Sequence, residues 1–201
     1  MPDSTKKQIR ELEIDAVSYS KIGHYSKAES TIKKALELKP NSNHLNHELA
    51  KIHLRSKQYG KALDILLKLS NKTKNRDILF KDIGLSYFGM GKLEKALEAS
   101  DVALSEKQDY VEALTLQGKS LRELERYDEA LVALDKAISK DPKHRDALYQ
   151  KGKVLYIIGE NRRALDLFNE VLGFRPRDTE VLAAKGLSHD QLGEFKDASD
   201  S

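Results

Sequence analysis

The sequence predicts an all-α protein, a solenoid of tandem helix–turn–helix repeats, and three observations carry that prediction. Six alanines, Ala28, Ala62, Ala96, Ala130, Ala164 and Ala198, follow one another at a constant step of 34 residues. Glycine recurs on the same step at Gly84, Gly118, Gly152 and Gly186, with Ala16 and Ala50 in the two earlier copies. The chain is rich in alanine, leucine, lysine and glutamate, all strong helix formers, and poor in valine and threonine. A fixed period of this length marks a repeat architecture, in which each copy buries its apolar face against its neighbours.

The period divides the chain into residues 9–42, 43–76, 77–110, 111–144, 145–178 and a sixth, shorter copy at 179–201, with residues 1–8 as a flank leading into the first helix. Each copy reads as a first helix, a short turn and a second helix carrying the repeated alanine. The turn often holds glycine, at Gly23, Gly91, Gly159 and Gly193, and the second helix stops near proline at Pro40, Pro142 and Pro176. A ring opens the second helix at Tyr25, Tyr59, Tyr127 and Phe195, with Leu93 and Asn161 in the other copies.

In the first copy Leu12 fills a large apolar slot that Phe80, Leu114, Leu148 and Leu182 fill later. The second copy departs most, with Asn46 in that slot and Lys74 where proline is usual; Ser42 suits an N-cap. The third places Ser100 in a slot that holds Ile32, Leu66, Leu134 and Phe168 elsewhere, and Gln108 in the proline slot. Softer packing is expected at both departures. In the fourth, Asp109 followed by Glu112 has the spacing of a capping box ahead of a helix from Val111 to Leu124. Asp178 suits an N-cap for the sixth copy, which stops inside its second helix at Ser201. Small residues recur where two helices cross, because a missing or minimal side chain lets the backbones approach.

The spacing of Leu114, Gly118, Leu121, Tyr127, Ala130, Leu134, Ala137 and Pro142 resembles the tetratricopeptide repeat. Leu148, Gly152, Leu155, Gly159, Ala164, Phe168 and Pro176 repeat the match. The resemblance covers about residues 9–201. It implies a right-handed superhelix in which the first helices line a concave groove, and a non-catalytic scaffold or adaptor that binds a partner protein or peptide there.

Carried onto this chain, the resemblance sets His47, Lys51 and Arg55, then Lys81 and Phe88, then Lys119 and Arg122, then Tyr149, Lys153 and Tyr156 along the groove. Such a surface suits an acidic segment with apolar anchors. The bland alternative is a solvated face, since Glu48, Asp82, Glu112, Glu123 and Asp146 stand close enough in sequence to neutralise the cations. The carboxylate clamp of repeats that hold chaperone C-termini is not recognisable: its asparagine positions carry residues such as Val17, Glu48, Asp82 and Leu85.

Other chemistry is absent from the sequence. There is no cysteine, and His44 and His47, one helical turn apart, lack a third fixed ligand, so neither a metal nor another cofactor is expected. GLSYFGMGK lies inside the repeat register rather than after a strand, so it is not a phosphate loop, and no enzyme activity is expected. Thirty-five basic residues offset 32 acidic ones, an interleaved balance unlike the one-sided field of a nucleic-acid binder. No membrane segment and no signal peptide are apparent, so a cytoplasmic location is expected. Three alternatives stay open: the repeat portion of a larger enzyme or regulator, a helical-repeat RNA binder, and a homodimer formed through the C-terminal copy.

Overall fold

In a computed structural model, residues 3–193 are described, and they form eleven helices with no strand. These are α1 (Asp3–Lys21), α2 (Tyr25–Leu38), α3 (Asn43–Arg55), α4 (Tyr59–Leu69), α5 (Arg76–Gly89), α6 (Leu93–Glu106), α7 (Val111–Glu123), α8 (Tyr127–Lys140), α9 (Arg145–Ile157), α10 (Asn161–Phe174) and α11 (Thr179–Gln191). Odd-numbered helices are the first helices of the repeats and even-numbered ones the second. None is long and apolar enough to cross a membrane. The second helix expected for the sixth repeat, with Phe195 and Ala198, lies outside the described residues, and so does that helix's share of the edge through which self-association was expected.

The chain resolves into two compact units, Met1–Glu106 and Lys107–Ser201. Within the first, α1 lies beside α3 and α3 beside α5; within the second, α7 lies beside α9 and α9 beside α11. Neighbouring second helices of one unit do not approach each other in this way among the described residues. First helices therefore crowd while second helices splay, and in each unit the crowded layer is the inner side of the curve.

The small residues sit where the packing logic needs them. Ala28, Ala62, Ala96, Ala130 and Ala164 are wholly buried, as are Ala16 and Ala50. At Gly118 an added Cβ would lie 2.5 Å from Leu134 Cγ, and at Gly152 it would lie 2.5 Å from Phe168 Cε1. The second helix presses a large side chain onto a bare stretch of first-helix backbone. Leu134 and Phe168 are themselves fully buried at these seats.

The departures behave as their chemistry dictates. Ser100, buried in an apolar slot, donates its hydroxyl to the Leu97 carbonyl at 2.7 Å, so its own helix satisfies it. Asn46 is half-buried and donates to the Ser42 carbonyl at 2.9 Å. It lines a cleft of about 400 Å3 with Pro40, Asn41, Asn43, Ile65 and Leu69, where a larger apolar side chain would have packed.

Helix starts follow the sequence in part. Ser42 caps α3, its hydroxyl accepting from the Leu45 amide at 3.3 Å. Asp109 does not cap α7: the N-cap residue is Tyr110, one position later, and it makes no side-chain cap. Asp178 occupies the N-cap of α11, but its carboxylate is drawn away to Arg145 Nη1 at 2.6 Å. An ionised guanidinium outcompetes a neutral amide for the same oxygen. At α9 the cap is His144, whose Nδ1 accepts from the Ala147 amide at 3.2 Å, a role its side chain did not advertise.

The turns inside the repeats all use a left-handed residue. Gly23, Gly91, Gly159 and Gly193 have φ between 72° and 85°. Lys57 and Glu125 take the same place with φ of 59° and 60°. A side chain in that region costs about 1–2 kcal/mol. Lys57→Gly and Glu125→Gly are therefore each expected to raise stability by about 0.5–1 kcal/mol in urea unfolding, after the extra chain entropy of glycine is allowed for.

The crossing seats predict the opposite sign. Gly118→Ala and Gly152→Ala each lower stability by about 1–3 kcal/mol, because the seated side chain must move. Gly173→Ala, where an added Cβ meets nothing within 4 Å, raises it by about 0.5–1 kcal/mol. Thermal melts of the three variants check the contrast.

Candidate partner-binding surface

The sequence places its candidate residues on the first helices, and the structure sorts them into two local environments, one per unit. In the N-terminal unit, the face of α3 and α5 is laced with ion pairs. His47 Nε2 lies 2.7 Å from Asp82 Oδ2, and Lys81 Nζ lies 2.5 Å from Asp82 Oδ1. Lys51 pairs with Glu48 at 2.7 Å. Arg55 donates to Ser20 Oγ on α1 at 3.2 Å, and Glu13 of α1 receives His44 at 2.6 Å. Phe88 is half-buried on α5.

Asp82 is the centre of this network and only 1% exposed. Burial opposes its charge. The hydrogen bond from His47, then the charge and hydrogen bond of Lys81, outweigh that opposition and hold the carboxyl below the usual carboxylate range. His47 and His44 thus each spend a ring nitrogen on a carboxylate.

The C-terminal unit is built differently. Lys119 approaches Asp146 at 3.9 Å, and Arg122 Nη2 reaches Glu123 at 2.6 Å. Of the five acids that the sequence set near these cations, Glu48, Asp82, Glu123 and Asp146 thus do pair with them. The Arg122 side chain is 9% exposed, and its Nε is buried without an acceptor among the described residues.

Lys153 forms no carboxylate pair within 4 Å among the described residues and lies 5.6 Å above the Tyr149 ring. Burial pushes its ammonium below the usual lysine range. The charge of Arg122 and, more weakly, that of Lys119 add to this, while Glu123 and Glu180 oppose it. Burial also pushes the Tyr149 phenol up, helped by Glu180 and Asp178. Tyr149 leans on Phe168, ring centres 6.0 Å apart and planes 54° from parallel, a tilted aromatic pair.

Beside these groups opens a cavity of about 370 Å3 between α9, α10 and α11. Tyr149, Tyr156 and Phe168 wall it on one side, and Ala183, Ala184 and Leu187 on the other, with Lys153 and Glu180 at the polar edge. Leu187 is 54% exposed and nearby Ile157 is 44% exposed.

Sequence reasoning identified Tyr149, Lys153 and Tyr156 here, and the repeat period carries the same inner column on to Ala183 and Leu187 of the opposite wall, whereas Ala184 went unread. Ala183 and Leu187 stand 34 residues after Tyr149 and Lys153. Phe168 was assigned to helix crossing alone, yet its ring both fills the Gly152 seat and floors the cavity.

The tetratricopeptide repeat profile matches residues 81–134 and 115–179, and a second profile of the same repeat matches residues 16–42. Human tetratricopeptide repeat protein 13 is 29% identical over 103 residues, a match that spans 51% of this chain and 12% of that protein. A thermophilic tetratricopeptide protein of Thermus thermophilus superposes with a TM-score of 0.77 at 18% identity, over 96% of this chain and 100% of that one. A tetratricopeptide repeat protein of Parabacteroides merdae gives 0.71 at 23% identity, over 96% and 77%. YrrB, a tetratricopeptide protein with an unusual peptide-binding site, gives 0.61 at 24% identity, over 91% and 98%. These likenesses establish the fold.

The buried Asp82 network makes a pH prediction. Its carboxyl titrates lower in the folded chain than in the unfolded one, so its stabilisation is complete above about pH 4 and fades as pH falls through the folded value. Asp82→Asn should cost about 3 kcal/mol at pH 7, since it leaves the Lys81 ammonium beside a neutral amide and takes the acceptor from His47. The gap between variant and parent in urea unfolding should narrow as the pH is taken from 7 to 3.

Proposed function

This chain belongs to the tetratricopeptide repeat family, and from that premise we propose that it is a non-catalytic interaction scaffold that holds a segment of a partner protein against its first helices. The observation that carries the reading is the crowding of the first helices in each unit. Side by side, they offer an inner surface on which His47, Lys51, Arg55, Lys81 and Phe88 stand in one unit, and Lys119, Arg122, Tyr149, Lys153 and Tyr156 in the other.

Chemistry supports binding over catalysis. On the N-terminal face Asp82 holds His47 and Lys81 in fixed pairs, and the titratable groups of the C-terminal face border an apolar cavity rather than a nucleophile. Apolar contact with charged margins is what recognition of a peptide asks for. The peptide-binding site of YrrB lends the reading support by analogy of fold.

A second reading, that these repeats are one portion of a larger protein, draws on the human relative, of which the matched stretch is 12%. It is compatible with the first, because a repeat array recruits partners for whatever domain it accompanies.

Amine cross-linking of the chain to proteins captured from a native lysate, read by mass spectrometry, tests the scaffold reading. Cross-links are expected at Lys51, Lys81, Lys119 and Lys153 on first helices, and sparsely at Lys33, Lys95 and Lys136 on second helices. Partners that map to the second helices would count against it. So would capture that survives both Lys51→Glu and Lys153→Glu undiminished.

A further inference from the structure

Resting on the scaffold reading, we propose that the cavity between α9, α10 and α11 is a specificity pocket. It takes one large apolar side chain from an extended partner segment whose acidic side chains lie on one flank only, the flank toward α7. The C-terminal unit then supplies the choice of partner.

The pocket is built for an apolar guest. Rings from Tyr149, Tyr156 and Phe168 face small side chains, Ala183 and Ala184, across an open space of about 370 Å3. Leu187 and Ile157 leave apolar surface in water beside it. Covering such surface contributes about 25 cal/mol per Å2. An aromatic wall opposite alanines holds the shape of the space without filling it.

Charge gives the guest its polarity. On the α7 side stand two cations: Lys153, over a ring and without a carboxylate partner within 4 Å among the described residues, and Arg122, which pairs through Nη2 with Glu123 and adds its charge to that of Lys153. On the α11 side stands Glu180. An acidic side chain next to the anchor gains toward α7 and is repelled toward α11. Arg122 and Lys153 sit on adjacent helices, whose axes pack about 8–10 Å apart. Two cations carried by neighbouring helices suit carboxylates spread along a segment better than the single carboxylate of a chain end.

The N-terminal unit makes the contrast. There Asp82 occupies both His47 and Lys81, and Glu48 occupies Lys51, so these three side chains are engaged from within.

Panning a displayed library of random linear peptides on the full chain tests the proposal. Recovered peptides should carry a large apolar residue with aspartate or glutamate on one flank. Synthetic versions should keep their affinity when the C-terminus is amidated, and lose it as salt rises. Leu187→Glu and Ala183→Glu, both at exposed positions, should weaken binding about tenfold or more, as should Lys153→Glu. Unchanged thermal melts would show that these variants fold.

Peptides that bind but ignore Leu187→Glu and Ala183→Glu, while responding to Lys51→Glu, would overturn the pocket and leave the scaffold reading standing. Acid enrichment on both flanks, or loss of binding on amidation, would overturn the one-sided side-chain rule. Recovery of no peptide at all would overturn the pocket, and partners that map to second helices would then remove the scaffold reading as well.

Discussion

Two helix backbones can nestle only where the side chain between them is absent or a single methyl group, and the rest of this protein follows from that constraint. Gly118 receives Leu134, and Gly152 receives Phe168, at a separation that leaves no room for one more carbon. Because each repeat meets the same demand, the same small residues return every 34 positions. Close crossing fixes the angle and depth of each pair, and stacking then buries faces that no pair could bury alone. The layer of first helices is crowded because their partners behind them are bulkier at the crossing.

Electrostatics divides what packing makes uniform. Identical backbones carry a self-neutralised face in one unit and an open, aromatic one in the other. The difference traces to a few residues. Asp82 sits buried between His47 and Lys81, whereas Leu116 and Gln150 stand one and two repeats after Asp82 and set no carboxylate there. A buried carboxylate that accepts from a lysine and a histidine stays charged and holds them; an aromatic ring holds a lysine more weakly and leaves its charge available.

The fold was legible because packing acts through residue size, and size is written in the sequence. Among the described residues the alanine column of the second helices translates into buried positions, the ring slot at Tyr25, Tyr59 and Tyr127 into half-buried ones, and the turn glycines into left-handed ones. Ion pairing was legible only as proximity: Glu48, Asp82, Glu123 and Asp146 were visible as neighbours of the cations, but which oxygen meets which nitrogen depends on rotamers. Caps failed for a related reason. Asp178 had the right type and place, yet Arg145, 33 residues earlier, competed for it, and no local pattern contains that rival. The cavity was half legible. Its lysine and tyrosines were found, and the period set Ala183 and Leu187 on the same inner column, but nothing in the pattern told that Ala183 and Ala184 keep a space open.

Phe168 couples two properties that a binding protein would otherwise tune apart. One edge of its ring lies on the bare backbone at Gly152 and the ring also forms the cavity floor. Any replacement that reshapes the floor also unseats a helix. Descendants of this chain that acquire new guests will therefore differ at Tyr156, Ala183 and Leu187, the margins, while the phenylalanine and its glycine stay locked together. Preference is free to drift around a base that the architecture will not release.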